Sequence, residues 1–380
     1  MKATRLLALA RELDKQWQRR RRPDQRRVLV NSRTPMNYST VAPIVERLQR
    51  DRRLEIYFTA SENPRQTAYI YSEAHKPFHF MTPFLAAFVR FDAYLASDFL
   101  WVNLARGTRR VQTFHGVAGK YRSIYDSPSH SMRQWDRLFF INKHRHQHFI
   151  ASGAIDESSA SARLTGMPKL DCLVDGSLSR EQVFRSLHLD PDRKTVMYAP
   201  TWSPHSSLSQ YGETLVRRLT DAGYNVIVKL HDRSRDTRYL HSGGENWHDR
   251  LAHLIKPPQG VLASSSNSSF YLVAADLLVT DHSSVGFEYL LLDRPVVRIH
   301  IPKLIEATDI EPLYVQMLAS ASKSATHIDE VMQAIAKSFE DPSQLSETRR
   351  FVANEMFYKP GSATDRAVKE MYEVLELPSH

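Results

Sequence analysis

The chain has 380 residues, 42% hydrophobic and 24% charged, enough apolar material for two ordinary domains of a globular protein. No apolar run approaches the roughly 18 residues of a membrane span, and the single cysteine, Cys172, excludes an internal disulfide and a multi-cysteine metal site. The formal charge of +9 is concentrated at the start, where residues 1–27 hold ten Lys or Arg against three acidic residues.

In that segment Leu6, Leu7, Leu9, Ala10, Leu13 and Trp17 recur near helical spacing beside the cations. A basic amphipathic helix is drawn to an anionic membrane surface by about 1 kcal/mol per basic residue. A solvated tail or a nucleic-acid arm is the plainer alternative. Arg5 and Arg11 break the apolar pattern and no small-residue cleavage site follows. The segment therefore does not read as a secretory signal, and a cytoplasmic setting is expected.

Further along, Arg27–Asn31 reads as a buried strand, with helical spacing over Thr40–Leu48 and a second strand at Leu54–Phe58. Helices are expected over Pro64–Tyr71 and Pro83–Phe91, and strands at Asp92–Ala96, Arg110–Phe114, Phe139–Ile141 and Arg163–Thr165. The turn-rich stretches Asp175–Ser177 and Leu189–Asp192 precede a second series. That series has strands at Thr195–Ala199, Asn225–Leu230, Leu277–Val279 and Pro295–Ile299. Its helices are Leu208–Ala222, Val285–Leu292, Ile328–Ser338, Pro342–Met356 and Gly361–Leu377. Strands alternating with helices imply parallel sheets covered on both faces. The expected parts are a basic segment 1–27, α/β domains 28–185 and 186–358, and a closing helix 359–380.

The chemistry gathers where strands end. Thr280-Asp281-His282-Ser283-Ser284 separates a buried strand from an apolar-rich helix, at the sheet edge where open α/β folds bind anions. The plain reading is a helix N-cap. His115 follows one strand and His231 another, one in each half, and a histidine so placed can take a proton or stabilise phosphate charge near neutral pH. Gly116 suggests a sharp backbone turn behind His115. Thr201 and Trp202 follow a third strand. His144, His146 and His148 lack neighbouring carboxylates or thiols, which speaks against a metal site. No G-x-G-x-x-G, G-x-x-x-x-G-K-[ST] or G-x-S-x-G occurs.

Five short motifs stand in order: Val111–Lys120 (VQTFHGVAGK), Thr165–Asp171 (TGMPKLD), Tyr198–Trp202 (YAPTW), Lys229-Leu230-His231, and Thr280–Ser284 (TDHSS) with Phe287-Glu288-Tyr289. Together they resemble the CDP-glycerol glycerophosphotransferases, the teichoic-acid primase and polymerase family, over roughly residues 90–370. The resemblance implies a GT-B fold, with two Rossmann-like domains facing a central cleft and a last helix crossing back. It implies transfer of glycerol phosphate from CDP-glycerol to a hydroxyl of a lipid-linked or glycan acceptor, with release of CMP, no cofactor, and work at the inner face of the membrane.

By position His115 matches the family's base and His231 its second histidine, while Thr280, Asp281, Ser283 and Ser284 match the donor-phosphate loop. Thr201 joins the donor side. Glu288 is placed for a ribose contact, and Gly116, Lys120 and Lys229 support the histidines. Asp232, His282 and Glu288 stand where the family usually has proline, tyrosine and aspartate, which leaves CDP-ribitol open as the donor. A nucleotide-sugar glycosyltransferase or epimerase on the same fold, and a basic nucleic-acid binder, are the competing readings. The clustering of charge in a terminal segment speaks against nucleic acid as a partner.

Overall fold

Runs such as Val28-Leu29-Val30 and Leu277-Leu278-Val279 are fully buried, as strands covered on both faces of a parallel sheet must be. In the computed structural model, which describes residues 2–21, 24–75, 79–117, 132 and 134–378, these runs build two all-parallel sheets. Among the described residues, one unit comprises 2–117, 132–171 and 362–378, and the other 172–361.

The first sheet contains β1 (Arg26–Asn31), β2 (Leu54–Thr59), β3 (His79–Phe80), β4 (Ala93–Ser97), β5 (Arg109–Thr113), β6 (Arg137–Phe140) and β7 (Ala162–Leu164). Their order is β3-β2-β1-β4-β5-β6-β7. Its core packs Val28, Val30, Phe58 and Leu95 against Val41, Ile44 and Leu48 of the helix Pro35–Gln49, and against Met371 and Leu375 of the last helix, Ala363–Leu375.

The second sheet contains β8 (Thr195–Tyr198), β9 (Asn225–Val228), β10 (Gly260–Leu262), β11 (Leu277–Thr280), β12 (Val296–Ile299) and β13 (Lys323–Ala325), in the order β10-β9-β8-β11-β12-β13. Both orders reverse direction once, between β1 and β4 and between β8 and β11. At that switch point adjacent loops diverge and leave a crevice beyond the carboxyl ends of the strands.

The division of the chain differs from the expected boundaries. The second unit begins at residue 172, not 186, because the helix Arg180–Leu187 packs on the helix Ser268–Ala274 and Arg180 pairs with Asp276 at 2.8 Å. The TGMPKLD motif shows why the last helix belongs to the first unit. Asp171 accepts the N–H groups of Ala363 (3.0 Å) and Thr364 (2.7 Å), and the Thr165 carbonyl accepts from Arg366 Nε at 2.9 Å. A carboxylate at a helix N-terminus satisfies otherwise unpaired amides and opposes the helix dipole.

Residues 2–21 form one helix, tied to the first unit through its polar side. Arg11 Nε donates to the Ala87 carbonyl at 2.7 Å, while Asp14 accepts from Arg90 N and from Arg27 Nη1, each at 2.9 Å. Leu9, Leu13 and Trp17, spaced four apart, point outward and are 58%, 57% and 51% exposed. The segment Pro83–Phe91 is helical only as far as Ala86.

Candidate active site

In the second unit, the loops after β8 and β11 leave the sheet at the switch point, with the β9 loop one strand further out. Asp281, just beyond β11, is completely buried and accepts four hydrogen bonds. They come from Thr201 N at 2.9 Å, His282 N at 2.7 Å, Ser207 N at 3.1 Å and Ser207 Oγ at 2.9 Å. Thr280 is equally buried and donates to the Ala199 carbonyl at 2.7 Å. The expectation that the whole loop faces a donor therefore divides. Thr280 and Asp281 brace the β8 loop against the β11 loop, because a buried carboxylate needs its lone pairs filled.

Ser283 and Ser284 are the half-buried members. Ser284 precedes the short helix Val285–Leu290 in helical geometry (φ −61°, ψ −23°), and its hydroxyl makes no capping bond. The N-cap role, the plain reading of this serine, is thus not the one its side chain performs. Thr201 is only 5% exposed, and its Oγ1 has no hydrogen-bond partner among the described residues. A buried hydroxyl without a partner is costly, so a polar group brought to Thr201 is favoured. Glu288, placed by sequence toward a ribose, is buried and accepts from Ser268 Oγ at 2.7 Å, linking its helix to Ser268–Ala274.

His231 follows β9. Its Nδ1 accepts the N–H of Arg233 at 3.0 Å, so the neutral ring carries its proton on Nε2. Trp202 gathers this corner: the Arg233 guanidinium lies 4.3 Å from its ring centroid, with the rings of His231 and His241 at 5.8 and 5.4 Å. Lys229 Nζ donates to the Leu230 carbonyl at 3.0 Å. The corner is thus cationic and aromatic, next to loops rich in hydroxyls.

In the first unit, His115 lies beyond β5 and Asp98 beyond β4. The imidazole Nδ1 pairs with Asp98 Oδ2, and the His115 backbone N–H donates to Asp98 Oδ1 at 3.3 Å. Asn37 Nδ2, from the helix after β1, donates to Asp98 Oδ2 at 2.6 Å. Burial pushes the Asp98 carboxyl up, but the charge and hydrogen bonds of His115, with the field of Arg145, outweigh it and hold the group below its ordinary value. Arg145 lies with its guanidinium 3.8 Å from the Phe114 ring centroid.

Sequence reading missed Asp98. Its only local signal is an acidic residue immediately after a buried strand, and its partners stand 17 and 61 positions away. Gly116 corrects an expectation: it does not take a left-handed φ, and a Cβ there would meet nothing within 4 Å, so no sharp turn demands glycine. Lys120 lies outside the described residues. His144, His146 and His148 run along the helix Lys143–Ala151, and among the described residues no group of three or more metal-binding side chains forms.

Comparison with known proteins places these features in a family. The model described as CDP-Glycerol:Poly(glycerophosphate) glycerophosphotransferase matches residues 15–373. A teichoic acid poly(glycerol phosphate) polymerase of Bacillus spizizenii is 26% identical over 221 residues, covering 52% of this chain and 53% of that protein. Its counterpart in Staphylococcus epidermidis is 25% identical over 228 residues, covering 52% and 29% respectively. A teichoic acid poly(ribitol-phosphate) polymerase of Bacillus spizizenii is 23% identical over 180 residues, covering 44% and 27%. The chain thus spans about half or less of the length of these relatives.

Among solved structures, the wall teichoic acid polymerase TagF superposes with a TM-score of 0.67 at 16% identity, covering 93% of this chain and 89% of that one. A UDP-GlcNAc 2-epimerase from Neisseria meningitidis gives 0.58 at 12% identity, covering 91% and 99%. These likenesses establish the fold as α/β of the GT-B type, with two doubly wound parallel sheets.

Proposed function

The chain belongs to the CDP-glycerol:poly(glycerophosphate) glycerophosphotransferase family, and on that footing we propose that it moves glycerol phosphate, or a related polyol phosphate, from a CDP-activated polyol to an acceptor hydroxyl. The acceptor is a lipid-linked or glycan end in cell-surface polymer synthesis, and CMP is the leaving group. The acceptor oxygen attacks the β-phosphorus, a P–O bond forms, and the bond from that phosphorus to the bridging oxygen breaks. CMP departs with the electron pair, and the hydroxyl proton passes to His115 Nε2.

Support for the base comes from the pairing of His115 Nδ1 with Asp98, which leaves Nε2 as the basic nitrogen. On the donor side the reading uses Thr201, Ser283, Ser284 and the His231 corner, where hydrogen bonds to charged oxygens contribute about 1.5–3 kcal/mol each. No resident cofactor enters the scheme. The observation that carries the proposal is a family match spanning both units, with both histidines beyond the carboxyl ends of parallel strands.

The proposed site of work is the inner face of an anionic membrane. The outward row Leu9, Leu13 and Trp17 supports this. So does its setting: the Ala87 and Asn103 carbonyls that Arg11 reaches belong to segments bearing exposed Phe84, Leu85 and Trp101. Among the described residues no helix is long and apolar enough to cross a membrane.

The test is CMP release and polyol-phosphate incorporation with CDP-glycerol and CDP-ribitol in parallel, on a soluble acceptor analogue. His115→Ala should lower turnover roughly 10²–10⁴-fold with donor affinity kept. Absence of transfer from both donors would remove the proposal, and near-normal turnover in His115→Ala would remove the base.

A further inference from the structure

We propose that Asp98 is the positioning residue of His115: its carboxylate holds Nδ1–H, fixes the tautomer and turns Nε2 outward. The role of the ring in transfer rests on the function proposed above; the tautomer does not. Three donors converge on this one carboxylate, namely the imidazole and the backbone N–H of His115 and the amide of Asn37. An acceptor-only group is the one side chain that satisfies all three. The imidazole side chain is 42% exposed and that of Asp98 19%, so the ring reaches out from a carboxylate seated beneath it.

The backbone is arranged for the same end. Asp98 and Phe99 are consecutive non-glycine residues in the left-handed region, with φ of 53° and 59°. Such strain persists only where surrounding structure imposes it, and it gathers at functional sites. Here the Phe99 N–H is held by Oε1 of the fully buried Gln112 on β5 at 2.9 Å, and Asp98 N donates to the Thr113 carbonyl at 3.0 Å. The turn that presents the carboxylate is therefore pinned to the strand that presents the histidine. Among the described residues, the cations acting on Asp98 besides His115 are Arg145, stacked on Phe114, and Arg33, which is engaged by Glu62 at 2.6 and 2.7 Å. Neither touches the imidazole Nδ1 in place of Asp98.

Asp98→Asn distinguishes positioning from simple packing. The His115 backbone N–H cannot reverse, so the amide of Asp98→Asn keeps its oxygen there and turns its NH2 toward the imidazole and Asn37. The Asn37 amide flips to accept, and the histidine accepts at Nδ1 and carries its proton on Nε2, where it cannot act as a base. Two-dimensional ¹⁵N–¹H spectra of histidine-labelled protein above the imidazole titration range read the tautomer, with His115→Ala identifying the signal. The wild type should show Nδ1–H, and Asp98→Asn should show Nε2–H. In the same variant kcat should fall on the order of 10²–10⁴-fold, while calorimetric affinity for CDP-glycerol stays within about twofold. Asp98→Glu, which restores a carboxylate, should recover at least about tenfold of the loss.

An Nε2–H signal in the wild type would overturn the assignment, and that measurement stands even if a variant fails to fold. Unchanged turnover in Asp98→Asn would overturn it equally. If the wild type transfers from neither CDP-polyol, the proposed function fails, while the tautomer measurement still decides the pairing.

Discussion

Asp281→Asn tests whether the buried carboxylate braces the two loops of the second unit. Oδ1 serves Thr201 N and Oδ2 serves Ser207 N, and a carboxamide keeps only one of those acceptors. With its NH2 toward Ser207, the Ser207 hydroxyl can reverse and accept, so one backbone N–H loses its partner. The opposite flip strands the amides of both Thr201 and His282, so the first is the lower in energy. One buried unsatisfied amide costs about 1–3 kcal/mol, to which the lost strength of charge-assisted bonds adds about 1 kcal/mol. The expected destabilisation is about 2–4 kcal/mol, a fall in Tm of roughly 4–16 °C for a unit of this size. Asp281→Ala, which strands three backbone amides, should approach the ceiling of about 5 kcal/mol for single substitutions. Calorimetric melting reads both variants, with amide exchange at Ser207 reporting Asp281→Asn and exchange at Ser207, Thr201 and His282 reporting Asp281→Ala. A Tm for Asp281→Asn within about 1 °C of wild type would refute the brace.

The remaining predictions concern the first unit and its surface. Hydrogen bonds from Arg53, then from Tyr372, hold the Asp51 carboxyl far below the usual carboxylate range in spite of its burial. The unfolded chain takes up this proton at higher pH than the folded one, so the contribution of Asp51 is complete above its unfolded value of about 4 and is lost as pH falls through the folded value. Asp51→Asn should therefore lower Tm at pH 7 and flatten its decline below about pH 4; parallel acid profiles for the two proteins would contradict this. Asp171→Ala should cost about 1–2 kcal/mol and accelerate amide exchange at Ala363 and Thr364 about tenfold or more, whereas unchanged exchange would show that the cap contributes nothing. Leu13→Glu combined with Trp17→Glu should weaken binding to anionic vesicles at least about tenfold, and undiminished sedimentation with vesicles would exclude the outward row as a membrane contact.

Much of the site was legible because its residues sit at strand ends, and strand ends are written locally. Buried parallel strands read as short, nearly unbroken apolar runs, and the residues just beyond them project at the carboxyl edge. His115, His231, Thr201 and the Thr280–Ser284 loop were found in this way. Short pieces such as β10 and β13 carry too few residues for a period to show. Pro83–Phe91 failed as a helix for a tertiary reason. The Arg90 N–H is engaged by Asp14 and Asp92 N donates to the Arg27 carbonyl, so distant partners take the groups a longer helix would have used.

The sequence by itself determined that this is a two-part parallel α/β protein of a phosphate-transferring family, with a basic start and two histidines at sheet edges. Only the tertiary structure decided which of these side chains stay open to solvent and which are sealed beneath them. Asp281 and Ser283 stand two residues apart with the same local signal, yet one is wholly buried among four donors and the other half-exposed. Asp98 has no motif at all and becomes the partner of His115 only because β4 and β5 lie side by side. Identity is local information, but burial and hydrogen-bond convergence depend on strand order, and strand order exists only once distant segments have packed.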